Sequence, residues 1–276
     1  VGDTVYETLP YAAKDGGEIA VDPVELFDVA PMYGELGDVG VDSHVVEPDY
    51  DTGYDDASLV GAAARHYAET GEFAAELVAA VAESEAPSYT YGYYPVVDTV
   101  SHRYGPDSEQ YGAQVAAVCG ALERAFDSLD DETAAATVVC LVADHGQVPV
   151  DSPTELGETG VLEHVPTDRS GAPLVLGGPR NVHLRVTDEA AARECLADVD
   201  ALVLSKDEAL DEGLWGQGQP EPAFERNCGD LVVIPRTDAL WHEGEPDELA
   251  LAGMHGGLHP QEALVPFGVA RASDLV

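Results

Sequence analysis

Apolar and polar positions along the chain fall into two kinds of block. Between 106 and about 129, Tyr111, Val115, Val118, Leu122, Phe126 and Leu129 recur at steps of three and four, the stripe of an amphipathic helix. A second helical pattern runs from about Ala57 to Ser84, and a short one passes through "DPVELFDVAPMYGELG". Runs of apolar residues mark strands: "VGVDSHVVEP" at 39–48, "SYTYGYYPVVD" at 88–98, "ATVVCLVAD" at 136–144, "GDLVVIPR" at 229–236 and "EALVPFGVA" at 262–270. The second and third are apolar enough to read as strands covered on both faces. From about 151 to 228 the texture changes. Loops with Pro and Gly lead there into "NVHLRVT", a helix through "DEAAARECLA" and the strand "DALVLS". The alternation predicts an α/β fold, a mainly parallel sheet with helices on both faces. One domain is expected over 1–276, with a smaller α+β subdomain inserted at 151–228.

Composition adds an unusual surface to this picture. The 276 residues, 45 % of them apolar, suffice for a substantial core, yet 53 acidic residues face 12 basic ones and the net charge is −41. Lys14 and Lys206 are the only lysines. Acids scattered over the whole chain, rather than gathered in a tail, read as a halophilic surface. In molar salt the Debye length falls to about 3 Å, which removes most self-repulsion. With no basic patch to meet phosphates, nucleic acid and anionic membranes are excluded as partners. No run approaches the ~20 apolar residues of a membrane span, and without a signal peptide the expected compartment is the cytoplasm. Cys119, Cys140, Cys195 and Cys228 are widely spaced without a CxxC pair, so buried free thiols are expected.

Candidate chemistry gathers where apolar runs end. Asp98 and His102 lie four apart, Asp144 and His145 are adjacent before Gly146, and His255 stands among glycines in "GMHGGLHPQE". Carboxylates and imidazoles are the ligands zinc takes, and two-metal sites mix them. A lone His or a strand-end Asp is often structural, but two Asp-His pairs and a glycine-bracketed His together favour a metal centre.

"YYPVVDTVSHRYGPDSEQY", "LVADHGQ" and "GMHGGLHPQEALVPF", in that order, resemble the alkaline phosphatase superfamily. The branch is the type I phosphodiesterases and nucleotide pyrophosphatases, which "GLWG" followed by "ERNCGDLVVIPR" also resembles, and the likeness runs from about residue 20 to the end. The resemblance implies metal-dependent hydrolysis of phosphoric esters, phosphodiester or pyrophosphate bonds, in a small substrate such as a nucleotide. It implies two divalent metal ions, zinc as a rule. Asp98, His102 and His255 would hold one ion, and Asp144 with His145 part of the other. The family's remaining aspartate ligand and its nucleophilic Thr or Ser precede residue 39. Asp3 and Thr4 are adjacent, with no apolar strand before them, and do not match. The resemblance therefore implies the C-terminal portion of a catalytic domain with its nucleophile upstream. Alternatives are an inactive metal-binding remnant of that fold, or a phosphonate or phosphomonoester hydrolase of the same superfamily.

Other residues weigh less. His259 follows His255 by four, but Pro260 argues against one helix holding both. His164 and His183 would line a substrate pocket or be exposed, and His44 is structural. Tyr94 is expected in the core, with Tyr104 beside the Asp98 motif. Ser101 stands where many relatives have Gly or Ala, and Arg103 and Arg236 are conceivable phosphate ligands.

Overall fold

A computed structural model describes residues 6–7, 12–13, 32–49, 59–85, 87–168, 171–216, 218, 220–244 and 246–275. Asp3 and Thr4, and the first ten residues of the short helical stretch at 22–37, lie outside them. The helix that remains there is α1, Met32–Asp38.

Three strands form a parallel sheet in the order β2-β1-β3: β1 is Asp42–Pro48, β2 Ala63–Tyr67 and β3 Ser88–Gly92. Val45 and Val46 of the central strand are buried. Of the helix expected over 57–84, residues 57–58 lie outside the described residues, and the rest is helical only from Thr70, as α2, Thr70–Glu83. Gly61 takes a positive φ of +96° that breaks any helix passing through it, and the five residues of β2 follow. Glu72 then starts α2 by accepting the Ala68 and Glu69 N–H groups at 2.9 and 3.1 Å.

The run read as a strand through Asp98 stops at Gly92 and becomes helix α3, Val96–Tyr104, after Pro95. Apolar Val96 and Val97 look alike in a strand or a buried helix turn, and proline pre-sets the helical φ at the start. Helix α4, Glu109–Phe126, is capped by Ser108, whose hydroxyl accepts the Tyr111 N–H. Its stripe packs as expected through Val118, Leu122 and Phe126. Helix α5, Asp131–Ala136, leads into β4, Val138–Val142. Contrary to expectation β4 is largely exposed: among the described residues it pairs with the antiparallel strand β9, Phe267–Arg271, alone, and Val139 packs against the helices. Residues 262–266, expected as part of that last strand, include the end of a short helix begun by Pro260.

A second sheet has four antiparallel strands in the order β7-β8-β6-β5. They are β5, Val175–Gly178, β6, Asn181–Leu184, β7, Ala201–Ser205, and β8, Leu231–Pro235. Helices α6, Glu189–Cys195, α7, Lys206–Asp211, and α8, Pro222–Asn227, accompany it, and Leu156, Val161, Leu184, Leu196, Leu231 and Val233 form its core. The fold is thus α/β with mixed sheets. A mainly parallel sheet was expected; among the described residues parallel pairing is confined to β1–β3 and one two-residue pair, Thr154–Glu155 with Leu240–Trp241. No disulfide links the cysteines; Cys228 is buried, whereas Cys119 on the outer face of α4 and Cys140 on β4 are exposed. Among the described residues no helix is long and apolar enough to cross a membrane.

Candidate metal centre

Three parts of the chain meet at one point. Helix α3 carries Asp98 and His102 one turn apart, which places both side chains on one face. The loop leaving β4 carries Asp144, His145 and Gly146. The third part is the two-residue strand Gly253–Met254, which pairs with Val148–Pro149 and delivers His255. Close packing requires Gly146: a Cβ there would overlap the Gln261 carbonyl oxygen, and its N–H donates to the Glu262 carbonyl at 2.8 Å.

One ligand atom each from Asp98, His145 and His255 lies within 4.8 Å of the others. Asp98 Oδ1 is 3.3 Å from His102 Nε2 and 3.7 Å from His255 Nε2. The His145 and His255 rings stack at 3.4 Å between centroids, and His102 stands 5.1 Å from His255. Asp144 sits at the rim, its side chain 67 % exposed, and its Oδ1 accepts the His145 N–H. The structure therefore groups His145 with Asp98 and His255, while Asp144 stays outside that trio.

The donor set fits a divalent cation of the zinc type. A carbonyl oxygen can only accept, so His102 Nδ1 must donate to the Gly253 carbonyl, 2.7 Å away, and His145 Nδ1 to the Gly146 carbonyl at 2.9 Å. With Nδ1 committed to a carbonyl in each ring, Nε2 is the nitrogen left to meet a cation, the arrangement that holds histidine ligands in place. Burial lowers the His255 pKa, and the neighbouring His145 lowers it further, which keeps the ring neutral. Burial would raise the Asp98 carboxyl, but the hydrogen bond and charge of His102 outweigh it and hold it below the usual carboxylate range. For His102, burial works downward and is outweighed by the bond that Nε2–H of the protonated ring donates to Asp98, so its pKa rises; a cation bound there would take that proton's place.

A family model for type I phosphodiesterase/nucleotide pyrophosphatase matches residues 19–258. The chain belongs to this family. Its members are phosphoester hydrolases of the alkaline phosphatase superfamily, and the chain is an enzyme of that kind. Similar solved structures include murine ectonucleotide pyrophosphatase/phosphodiesterase 5, at 14 % identity and TM-score 0.65, covering 97 % of this chain and 70 % of that one. The same murine protein, inactive and in complex with AMP, matches at 13 % identity and TM-score 0.62, with 97 % and 70 % covered. Phosphonoacetate hydrolase from Sinorhizobium meliloti 1021, in complex with phosphonoformate, matches at 17 % identity and TM-score 0.63, with 97 % and 73 % covered. At these identities the structures show the shared fold. No curated protein sequence matched.

The remaining candidates are dispersed. His259 caps the helix α9, Pro260–Ala263, by accepting the Gln261 N–H. His183 lies half-buried in β6, its ring 5.9 Å from Trp215, and burial lowers its pKa. His164 ends a short 3₁₀ turn, and His44 lies within β1. Tyr94 is in the core and bonds Thr70 and Gln114, whereas Tyr104 is exposed with Arg103 over its ring at 5.3 Å. Arg236 faces Asp200 at 3.7 Å, and Ser101 is fully buried in α3. Sequence reading missed the buried pair Arg180–Glu262. Glu262 accepts the N–H groups of Gly257 and His259, and Arg180 reaches the Thr237 and Asp238 carbonyls, so the pair straps the segment after His255 to the loops beside the four-stranded sheet. Nothing in a single arginine at 180 announces a partner 82 residues away.

Proposed function

We propose that this chain is a metal-dependent phosphoric ester hydrolase that cleaves a phosphodiester or pyrophosphate bond in a small substrate of the nucleotide class. Asp98, His102 and His255 hold one divalent ion, zinc in this reading, and Asp144 and His145 contribute to a second. The convergence of Asp98, His145 and His255 ligand atoms within 4.8 Å carries the reading. Bound there, the ions would supply Lewis acidity toward a phosphoryl oxygen and an activated nucleophile. The chain's own part is to turn imidazole nitrogens and the Asp98 carboxylate toward one point. The family pattern puts the nucleophilic hydroxyl ahead of residue 39. The AMP bound by the murine relative supports a nucleotide-class substrate.

Chelation should abolish hydrolysis of bis-p-nitrophenyl phosphate and zinc should restore it, with His102→Ala and Asp144→Ala both inactive. Undiminished turnover in either variant would falsify the assignment. A phosphonate substrate is the second reading, favoured by the likeness to phosphonoacetate hydrolase. Release of phosphate from phosphonoacetate, with no turnover of the diester, would select it. Zinc bound without any turnover would instead identify a metal-binding remnant.

The net charge of −41 supports the halophilic reading of the surface. The melting temperature should climb steadily between 0.1 M and 2 M KCl; a flat response excludes self-repulsion as a major term.

A further inference from the structure

Beside the cluster lies a side chain that the chemistry above does not use. Gln147 Nε2 donates to Asp98 Oδ1 and, at 3.4 Å, to the Asp98 backbone carbonyl. A carbonyl and an ionised carboxylate only accept, so the amide nitrogen, not its oxygen, must face them. Oε1 is thereby turned to the other side, where it is buried without a hydrogen-bond partner. It lies against Gly253, where a Cβ would stand 2.7 Å from it. A buried, unpaired amide oxygen destabilises a fold, and folds keep such groups chiefly where function needs the rest of the side chain.

Resting on the metal reading of the cluster, we propose that Gln147 is a positioning residue for Asp98. Its amide holds one lone pair of Oδ1, leaving the other directed at His102 Nε2 and His255 Nε2, where a cation would sit. Without it the Asp98 carboxylate, 35 % exposed, is free to turn toward solvent. The same bond ties α3 to the loop after β4, so it registers two ligand-bearing segments against each other. Gly253 completes the arrangement: its carbonyl orients His102, and its missing side chain leaves room for the Gln147 amide.

The test uses Co2+ alone as probe on the metal-free full chain, comparing the parent with Gln147→Met and Gln147→Ala. Both variants remove the donor together with the unpaired oxygen. Thermal unfolding by circular dichroism of each metal-free chain comes first, then Co2+ affinity by competition with a chromophoric chelator, then the d–d absorption spectrum. The variants should melt at or above the parent's temperature, bind Co2+ about 10–100-fold more weakly and show an altered d–d spectrum. A parent that binds no Co2+ overturns the metal reading and this inference with it. A parent that binds, alongside variants of equal affinity and identical spectrum, overturns the role of Gln147 alone. Failure of both variants to fold overturns it too, since Gln147 would then be a structural residue.

Discussion

Two strands of nearly the same composition meet opposite fates in this molecule. Strand β8, "LVVIP", lies between β7 and β6 with all five residues buried. Strand β4, "VVCLV", pairs among the described residues with β9 alone, and Val138, Leu141 and Val142 are 58 %, 55 % and 59 % exposed. On the face opposite Val139, Val138, Cys140 and Val142 join Phe267 and Val269 in a bare apolar surface. Apolar sequence therefore does not by itself make a core; the number of covering neighbours does. The Asp144–His145 turn leaves the thinly covered strand. The turn is tied elsewhere: the Gly146 N–H donates to the carbonyl of Glu262, whose carboxylate pairs with buried Arg180 beside the well-packed four-stranded sheet.

The sharpest way to break this comparison is to cut the strap. Glu262→Ala leaves the Arg180 guanidinium buried without its carboxylate and should destabilise by about 3–5 kcal/mol in denaturant unfolding. It should also weaken Co2+ binding, because Gly257 and His259 lose their acceptor next to His255. A loss under about 1 kcal/mol would mean that the four-stranded sheet does not brace the cluster.

Next in size is a matched pair of truncations. Leu231→Ala in β8 should cost about 2–5 kcal/mol as a buried large-to-small change, whereas Val142→Ala in β4 should stay within about 0.5 kcal/mol as a surface change. Equal effects in urea titrations would erase the distinction between the two strands.

Acid sharpens it further. Burial opposes ionisation of Glu262, but Arg180 and two backbone N–H groups prevail and depress its pKa. A depressed carboxyl binds fewer protons folded than unfolded, so its contribution is fully present above the ordinary glutamate value of about 4.3 and disappears as pH falls through the folded value. Stability measured from pH 6 to pH 3 should therefore drop more steeply in the parent than in Glu262→Gln. Parallel curves would show that the pair adds nothing dependent on charge.

How far all this could be read from sequence differs residue by residue. Helix α4, helix α6 and strands β7 and β8 were legible because period, cap residues and length agreed within each segment. The helix expected through 62–67 gave way to β2 because alanine propensity there is overruled by Gly61 and by pairing with β1. Asp98 was placed on a strand because two valines precede it, although its four-residue spacing from His102 already suited one face of a helix. Exposure of β4 was not legible, since it depends on which strands lie alongside. Nor were Gln147 to Asp98, Arg180 to Glu262 and Gly253 to His102, contacts that span 49, 82 and 151 residues. The candidate ligands carry recognisable chemistry; the groups that aim them are ordinary residues made special by tertiary contact.

The smallest expected effect concerns the bare face itself. Val269, 57 % exposed and paired with Cys140, points away from the helices, so Val269→Lys places its ammonium in water without opening a cavity. Unfolding free energy should shift by no more than about 0.5 kcal/mol. Solution behaviour should change more, because lysine on an exposed strand opposes edge-to-edge pairing between copies. Light scattering in molar KCl, where the screened acidic surface no longer holds copies apart, should show less self-association than in the parent. If instead Val269→Lys unfolds the chain as readily as Leu231→Ala, the ribbon is a core element, and the contrast between β4 and β8 fails.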